Sequence, residues 1–126
     1  MHQTLYKKSS AFFFYSNRQT RNKTLEAAEV AIQIKVSEAW IEFKKGNQEK
    51  ALELMKAAAN TEDAMEKHPV TPGAVIPARE LLGEMLLEMN QPSLALEAFE
   101  QNLKIHPNRR NGLNGLLAAT QIISKK

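Results

Sequence analysis

The stretch Ile76–Arg109, IPARELLGEMLLEMNQPSLALEAFEQNLKIHPNR, decides how the rest of this chain is read. Inside it, Leu82-Gly83 is followed by Leu86, and further on Ala95 is followed by Phe99, each at the spacing of one helical turn. Pro92 is well placed as the first residue of a helix, because its missing N–H is not needed there. His106 precedes Pro107, and a residue before proline is pushed out of helical geometry, so a helix is expected to end at that point. The stretch reads as two helices joined by a turn.

The series Leu82, Gly83, Leu86, Ala95, Phe99 and Pro107 resembles the tetratricopeptide pattern, W-x2-L-G-x2-Y, then A-x3-F, then P. Five of seven landmarks match at full spacing over 34 residues; Arg79 stands in the Trp place and Leu86 in the Tyr place. The resemblance implies an all-α fold, an antiparallel array of helix–turn–helix units whose packing positions are these six residues. It also implies a module that binds proteins or peptides and has no catalysis.

A second unit precedes the first. Val36, Ala39, Trp40 and Phe43 form an amphipathic stripe, Gly46-Asn47 breaks it, and Ala51, Met55 and Ala58 continue on the next helix. Ala51 and Met55 stand where Ala95 and Phe99 do. Counting back from Gly46, Lys35, Glu38 and Glu42 fall on the large apolar landmarks, so the register of the first helix is open by one residue. Thr24 can cap that helix, with Glu26 in its first turn. Ala51 to Pro69 is longer than Ala95 to Pro107, which predicts a second helix extended by about six residues and a following loop extended by four. Thr71-Pro72-Gly73-Ala74 suits a type II turn, His68-Pro69 a helix end, and Pro77 a first helical position. The inserted segment, residues 66–76, is expected to border a binding surface or to be a plain loop extension.

A fifth helix is expected from about Arg109 to Ile123, with Leu113, Leu116, Leu117 and Thr120 as its inward stripe. It is the first helix of a third unit without its second, in the manner of a capping helix. Three or more repeats are the usual requirement. The readings are a homodimer through an array end, cover from the N-terminal arm, or a piece of a longer array.

The domain reading is a basic arm over residues 1–23 and a helical domain over 24–126. The arm carries Lys7, Lys8, Arg18, Arg21 and Lys23 and no acid, whereas residues 25–109 carry fourteen acids and nine bases. The overall charge of +3 therefore belongs to the ends. The Ala11–Tyr15 run is too short for a secretory signal, which needs about 7–15 apolar residues. No cysteine is present, which fits a reducing, cytoplasmic setting. No apolar run approaches the roughly 18 residues of a membrane span.

No cofactor or metal is expected. The three histidines, His2, His68 and His106, form no i, i+3 or i+4 pair, and no phosphate loop or nucleophile motif occurs. Glu80, Glu84 and Glu88 share one helix face. The resemblance implies that Glu80, Glu84, Leu87 and Glu88 line a partner groove; a solvated face is the alternative. Trp40 is either a core residue or a groove contact. The chaperone-tail clamp of the family, made of Lys and Asn, is absent: Val36, Trp40, Glu80 and Glu84 stand in those places. The expected partner is a protein or peptide, basic rather than acidic. The alternative function is an adaptor whose basic arm meets nucleic acid or an acidic surface.

Overall fold

The computed structural model describes residues 10–65 and 76–125, with side chains from residue 26 onward. Five helices and no strand occur among them: α1 Ser10–Lys45, α2 Gln48–Ala64, α3 Ala78–Glu88, α4 Pro92–Ile105 and α5 Arg110–Ser124. The fold is all-α, as the helical spacings required. Two compact units are distinguished, Met1–Ala31 and Ile32–Lys126. The first contains the beginning of α1. The second holds the rest of α1 and α2 to α5.

Helix α1 begins at Ser10, so Thr24 lies within it and caps nothing. The segment 10–23 has no amphipathic period, yet a helix does not require one, and only Gly and Pro oppose it strongly; this segment has neither. The packing of Phe12–Tyr15 and the Lys7 and Lys8 cluster lie outside the described residues and side chains, as do His68-Pro69 and the Thr71–Ala74 turn.

The two tight turns share three backbone hydrogen bonds at matching positions. Gly46 (φ 94°) and Asn90 (φ 59°) are in the left-handed region, where glycine and asparagine are the tolerated residues. Their N–H groups donate to Phe43 and Leu87 carbonyls, both at 3.1 Å. Asn47 donates to Glu42 and Gln91 to Leu86, both at 2.9 Å. Ala51 then donates to Asn47 and Ala95 to Gln91, both at 3.0 Å. On this register Ala39 corresponds to Gly83, Trp40 to Glu84, Phe43 to Leu87, and Met55 to Phe99. The register question in α1 is thereby closed. Ile32 and Ala39 are buried and Val36, Trp40 and Phe43 pack against the core, one residue on from the face that Leu82 and Leu86 bury in α3. Glu38 stays exposed, and Glu42 accepts from Asn47 Nδ2 at 2.7 Å.

The core is built from the expected packing positions. Ala51, Met55, Ala95 and Phe99 have no exposed surface, and Leu82 and Leu86 almost none. Pro107 is the exception: it is exposed and acts only by stopping α4 at Ile105. Pro92 opens α4, whereas Pro77 is the residue before α3 rather than its first. Relative to α4, the helix α2 is extended by Glu62, Asp63 and Ala64, less than the six residues expected. These residues clasp the start of α3. Glu62 Oε1 accepts the Ala78 N–H at 2.9 Å, satisfying one of the orphan donors of a helix N-terminus. Arg79, in the place of the missing Trp, reaches Asp63 at 2.9 Å and Asn60 Oδ1 at 2.7 Å.

Helices α3, α4 and α5 meet on Phe99. A Cβ on Gly83 would stand 2.7 Å from its ring, and a Cβ on Gly115 would overlap the same ring from the α5 side. On intrinsic propensity, Gly115→Ala should gain about 1 kcal/mol. Overpacking at this contact costs about 1–3 kcal/mol, so the substitution is expected to destabilise. Phe99→Ala should cost about 3–5 kcal/mol. Urea unfolding of both variants and of the pair checks this: the pair should lose less than the sum, because the clash needs the ring. A Gly115→Ala protein more stable than the parent would refute the contact.

Candidate functional site

The three glutamates of α3 do not share one environment. Glu80 is in the first turn, where the helix dipole favours a carboxylate. It has no exposed surface at all. Arg109, the residue before α5, lays its guanidinium on it: Nε donates to Oε2 at 2.7 Å and Nη2 to Oε1 at 3.2 Å. Asn102 Nδ2, from α4, donates to Oε2 at 3.4 Å. The pairing also holds the Arg109 pKa above its ordinary value. Glu80 therefore ties three helices together and cannot face a partner groove. Helical spacing put it on the surface of an isolated α3; the arrival of Arg109 and α5 covers it. The one signal in the sequence was a carboxylate followed at a distance by the arginine that leads a later helix, which pattern reading does not pair.

Glu84 is half-buried, and Glu88 is exposed. Burial, then the carboxylates of Glu80 and Glu88, push the Glu84 pKa up. Leu87 is half-buried against the core. Trp40, the counterpart of Glu84 in the first helix pair, is partly buried and meets Phe43 edge-on at 5.6 Å. It is both a packing residue and a partly accessible ring. Glu84, Glu88, Leu87 and Trp40 thus retain surface, and Glu80 leaves the set.

The inward face of α5 also differs from expectation. Gly112 and Ala119 are buried, and Gly115 meets Phe99. Leu113 and Leu117 are 48% and 57% exposed, and Thr120 is exposed. Small residues bring the α5 backbone onto α4, and the larger ones point away; only Leu116 of the expected stripe packs against the core. The apolar strength of the leucines misled the stripe reading, because the contact demanded the absence of side chain.

Among the described residues no group of three or more His, Asp or Glu side chains could hold a metal. No helix there is long and apolar enough to cross a membrane. A shallow depression of about 380 Å³ lies between the α3–α4 turn and Ile123 of α5, lined by Asn90, Gln91, Pro92, Ser93 and Leu94. It is open to solvent and carries no ionisable side chain. The chain matches no family model, no curated protein and no solved structure.

Arg109→Ala strands the Glu80 carboxylate in the interior and should cost about 3 kcal/mol. Replacing both partners, Glu80→Gln with Arg109→Met, should cost less than Arg109→Ala alone, since no uncompensated charge remains. Chemical denaturation decides the order. Glu84 gives a pH signature of opposite origin. Its pKa is raised in the folded protein, so its contribution is favourable below the ordinary value of 4.5 and is lost as pH rises through the raised value. Glu84→Gln should raise the melting midpoint near pH 7 and leave it unchanged well below pH 4.5. Equal effects at both pH values would overturn the assignment.

Proposed function

We propose that this chain is a non-catalytic protein-interaction module of the tetratricopeptide type, acting in the cytoplasm without a cofactor. Its ligand is a peptide segment that carries Lys or Arg beside an apolar anchor. The observation that carries this reading is the setting of Glu84: a half-buried carboxylate whose pKa is raised by its burial and then by the carboxylates of Glu80 and Glu88. A positive ligand group at that place removes a repulsion already present in the free protein. Electrostatic complementarity of this kind sets partner choice and on-rate more than raw affinity.

The repeated turns support the module reading, because the same left-handed turn joins α1 to α2 and α3 to α4. First helices in such pairs present corresponding positions side by side. Trp40 and Glu84 correspond, and so do Phe43 and Leu87. We infer that an aromatic edge and an aliphatic side chain flank the acid, which suits one apolar anchor next to one cation. Exposed Glu88 contributes to attraction at a distance and little to the bound state.

A displayed library of random peptides panned on the purified chain tests the proposal. Selected sequences should be enriched in Lys or Arg adjacent to an aliphatic or aromatic residue. For a selected peptide, Glu84→Gln with Glu88→Gln should slow association about threefold to tenfold at low salt, with the difference shrinking at high salt. Trp40→Ala should raise the off-rate. Enrichment of acidic peptides, or identical on-rates for parent and double variant at low salt, would remove this face from the function. Binding of single-stranded nucleic acid with a steep salt slope, untouched by Glu84→Gln, would favour the adaptor reading instead.

A further inference from the structure

We propose that the outer face of α5 seats an acidic amphipathic helix from a partner protein, in the place on α5 that α4 occupies on α3. The repeat period supplies the correspondence. One period after Arg79, Leu82, Gly83 and Leu86 stand Leu113, Leu116, Leu117 and Thr120. On α3 Leu82 and Leu86 are 3% and 2% exposed, Gly83 lies against the Phe99 ring of α4, and Arg79 reaches back to α2. On α5 no helix among the described residues takes that place, and Leu113 and Leu117 are about half exposed. The opposite face of α5 is already used, through Gly112 and Gly115 against Asn102, Leu103 and Phe99.

Size and charge specify the occupant. Gly83 receives the bulk of Phe99, but its counterpart on α5 is Leu117, a knob rather than a hole. The seated helix must offer a small residue there, where α4 offers Phe99. Helix α5 contains no acidic residue. Exposed Arg110 stands at its start, one turn before Leu113, and exposed Lys125 follows its end. A second copy of α5 is a poor occupant. Antiparallel pairing would set Arg110 against Lys125 of the other copy, and parallel pairing would set Arg110 against itself. A helix with glutamates near its ends and apolar residues between matches both terms. The length available is that of a 15-residue helix, about four turns.

Three stapled helical peptides of the α4 sequence, PSLALEAFEQNLKI, provide the probe. The first carries Phe99→Ala and Lys104→Glu, giving a small centre and an acidic flank. The second keeps Phe99 with Lys104→Glu. The third has Phe99→Ala with Glu97→Lys and Glu100→Lys. Fluorescence anisotropy should show saturable binding of the first to the full chain, and at least about tenfold weaker binding of the other two, a difference of 1.4 kcal/mol. Leu117→Glu, at an exposed position, should abolish binding of the first peptide while circular dichroism and the melting midpoint stay as in the parent. That loss separates the outer face of α5 from displacement of α4. Binding that survives Leu117→Glu, equal binding of the lysine peptide, or no binding of any peptide would overturn the proposal. So would a micromolar dimer in sedimentation equilibrium that Leu117→Glu converts to monomer, because the occupant would then be a second copy.

Discussion

Three helices converge on the ring of Phe99, and the distance at which they can do so is set by two missing side chains. Gly83 admits the ring from α3 and Gly115 from α5. A β-carbon at either place would force the ring or a backbone to move, and close-packed interiors yield little. Everything nearby follows from that closeness. Helix α5 turns its glycines and Ala119 inward, so Leu113 and Leu117 face outward. Asn102 and Arg109, on α4 and at the head of α5, are brought within reach of Glu80. In the first helix pair the same positions hold Ala39 and Met55, a slightly larger residue against a more pliable one.

The Glu80–Arg109 pair is a consequence of this packing and also a constraint on it. A fully buried carboxylate is tolerable only with its charge matched and its lone pairs satisfied. The fork of Arg109 and the amide of Asn102 do this from two other helices, so the three elements have one arrangement in which the charge is content. The pair is better understood as fixing position than as adding much net stability, since desolvation consumes most of the attraction. Its second effect is on Glu84. Burial, and then the carboxylates of Glu80 and Glu88, raise the Glu84 pKa, and the exposed face of α3 inherits a repulsion that a ligand cation would relieve.

Repetition with small differences explains the variety along the chain. The two turns are alike because both need a left-handed residue and the same chain reversal, and Gly46 and Asn90 each supply it. The helix pairs differ where side chains meet neighbours. Glu42, a counterpart of Leu86, stays at the rim and binds Asn47 and Lys50 rather than entering the core. Arg79, in a place where the repeat pattern has a large aromatic, reaches back to Asp63 and Asn60 on the extended end of α2. An ion pair and a side-chain hydrogen bond thus perform a junction that packing alone would otherwise make.

The sequence by itself determined the helical class, the two turns and most of the packing positions. Leu82, Leu86, Ala95 and Phe99 recur with helical period, and Gly46, Pro92 and His106-Pro107 limit the helices by local backbone chemistry that needs no distant partner. The candidate residues that keep accessible surface, Trp40, Glu84, Leu87 and Glu88, were picked out for the same reason: they share helix faces by spacing. What only the tertiary structure decided are the outcomes that depend on a neighbour. Burial of Glu80 required Arg109 to arrive from 29 residues away. The orientation of α5 required Phe99 to select glycine over leucine as the contact. The helical state of residues 10–23 follows from no amphipathic period at all. Periodicity reports which residues of one helix lie together, but the side that becomes interior is chosen by shape and charge on the helix that packs against it.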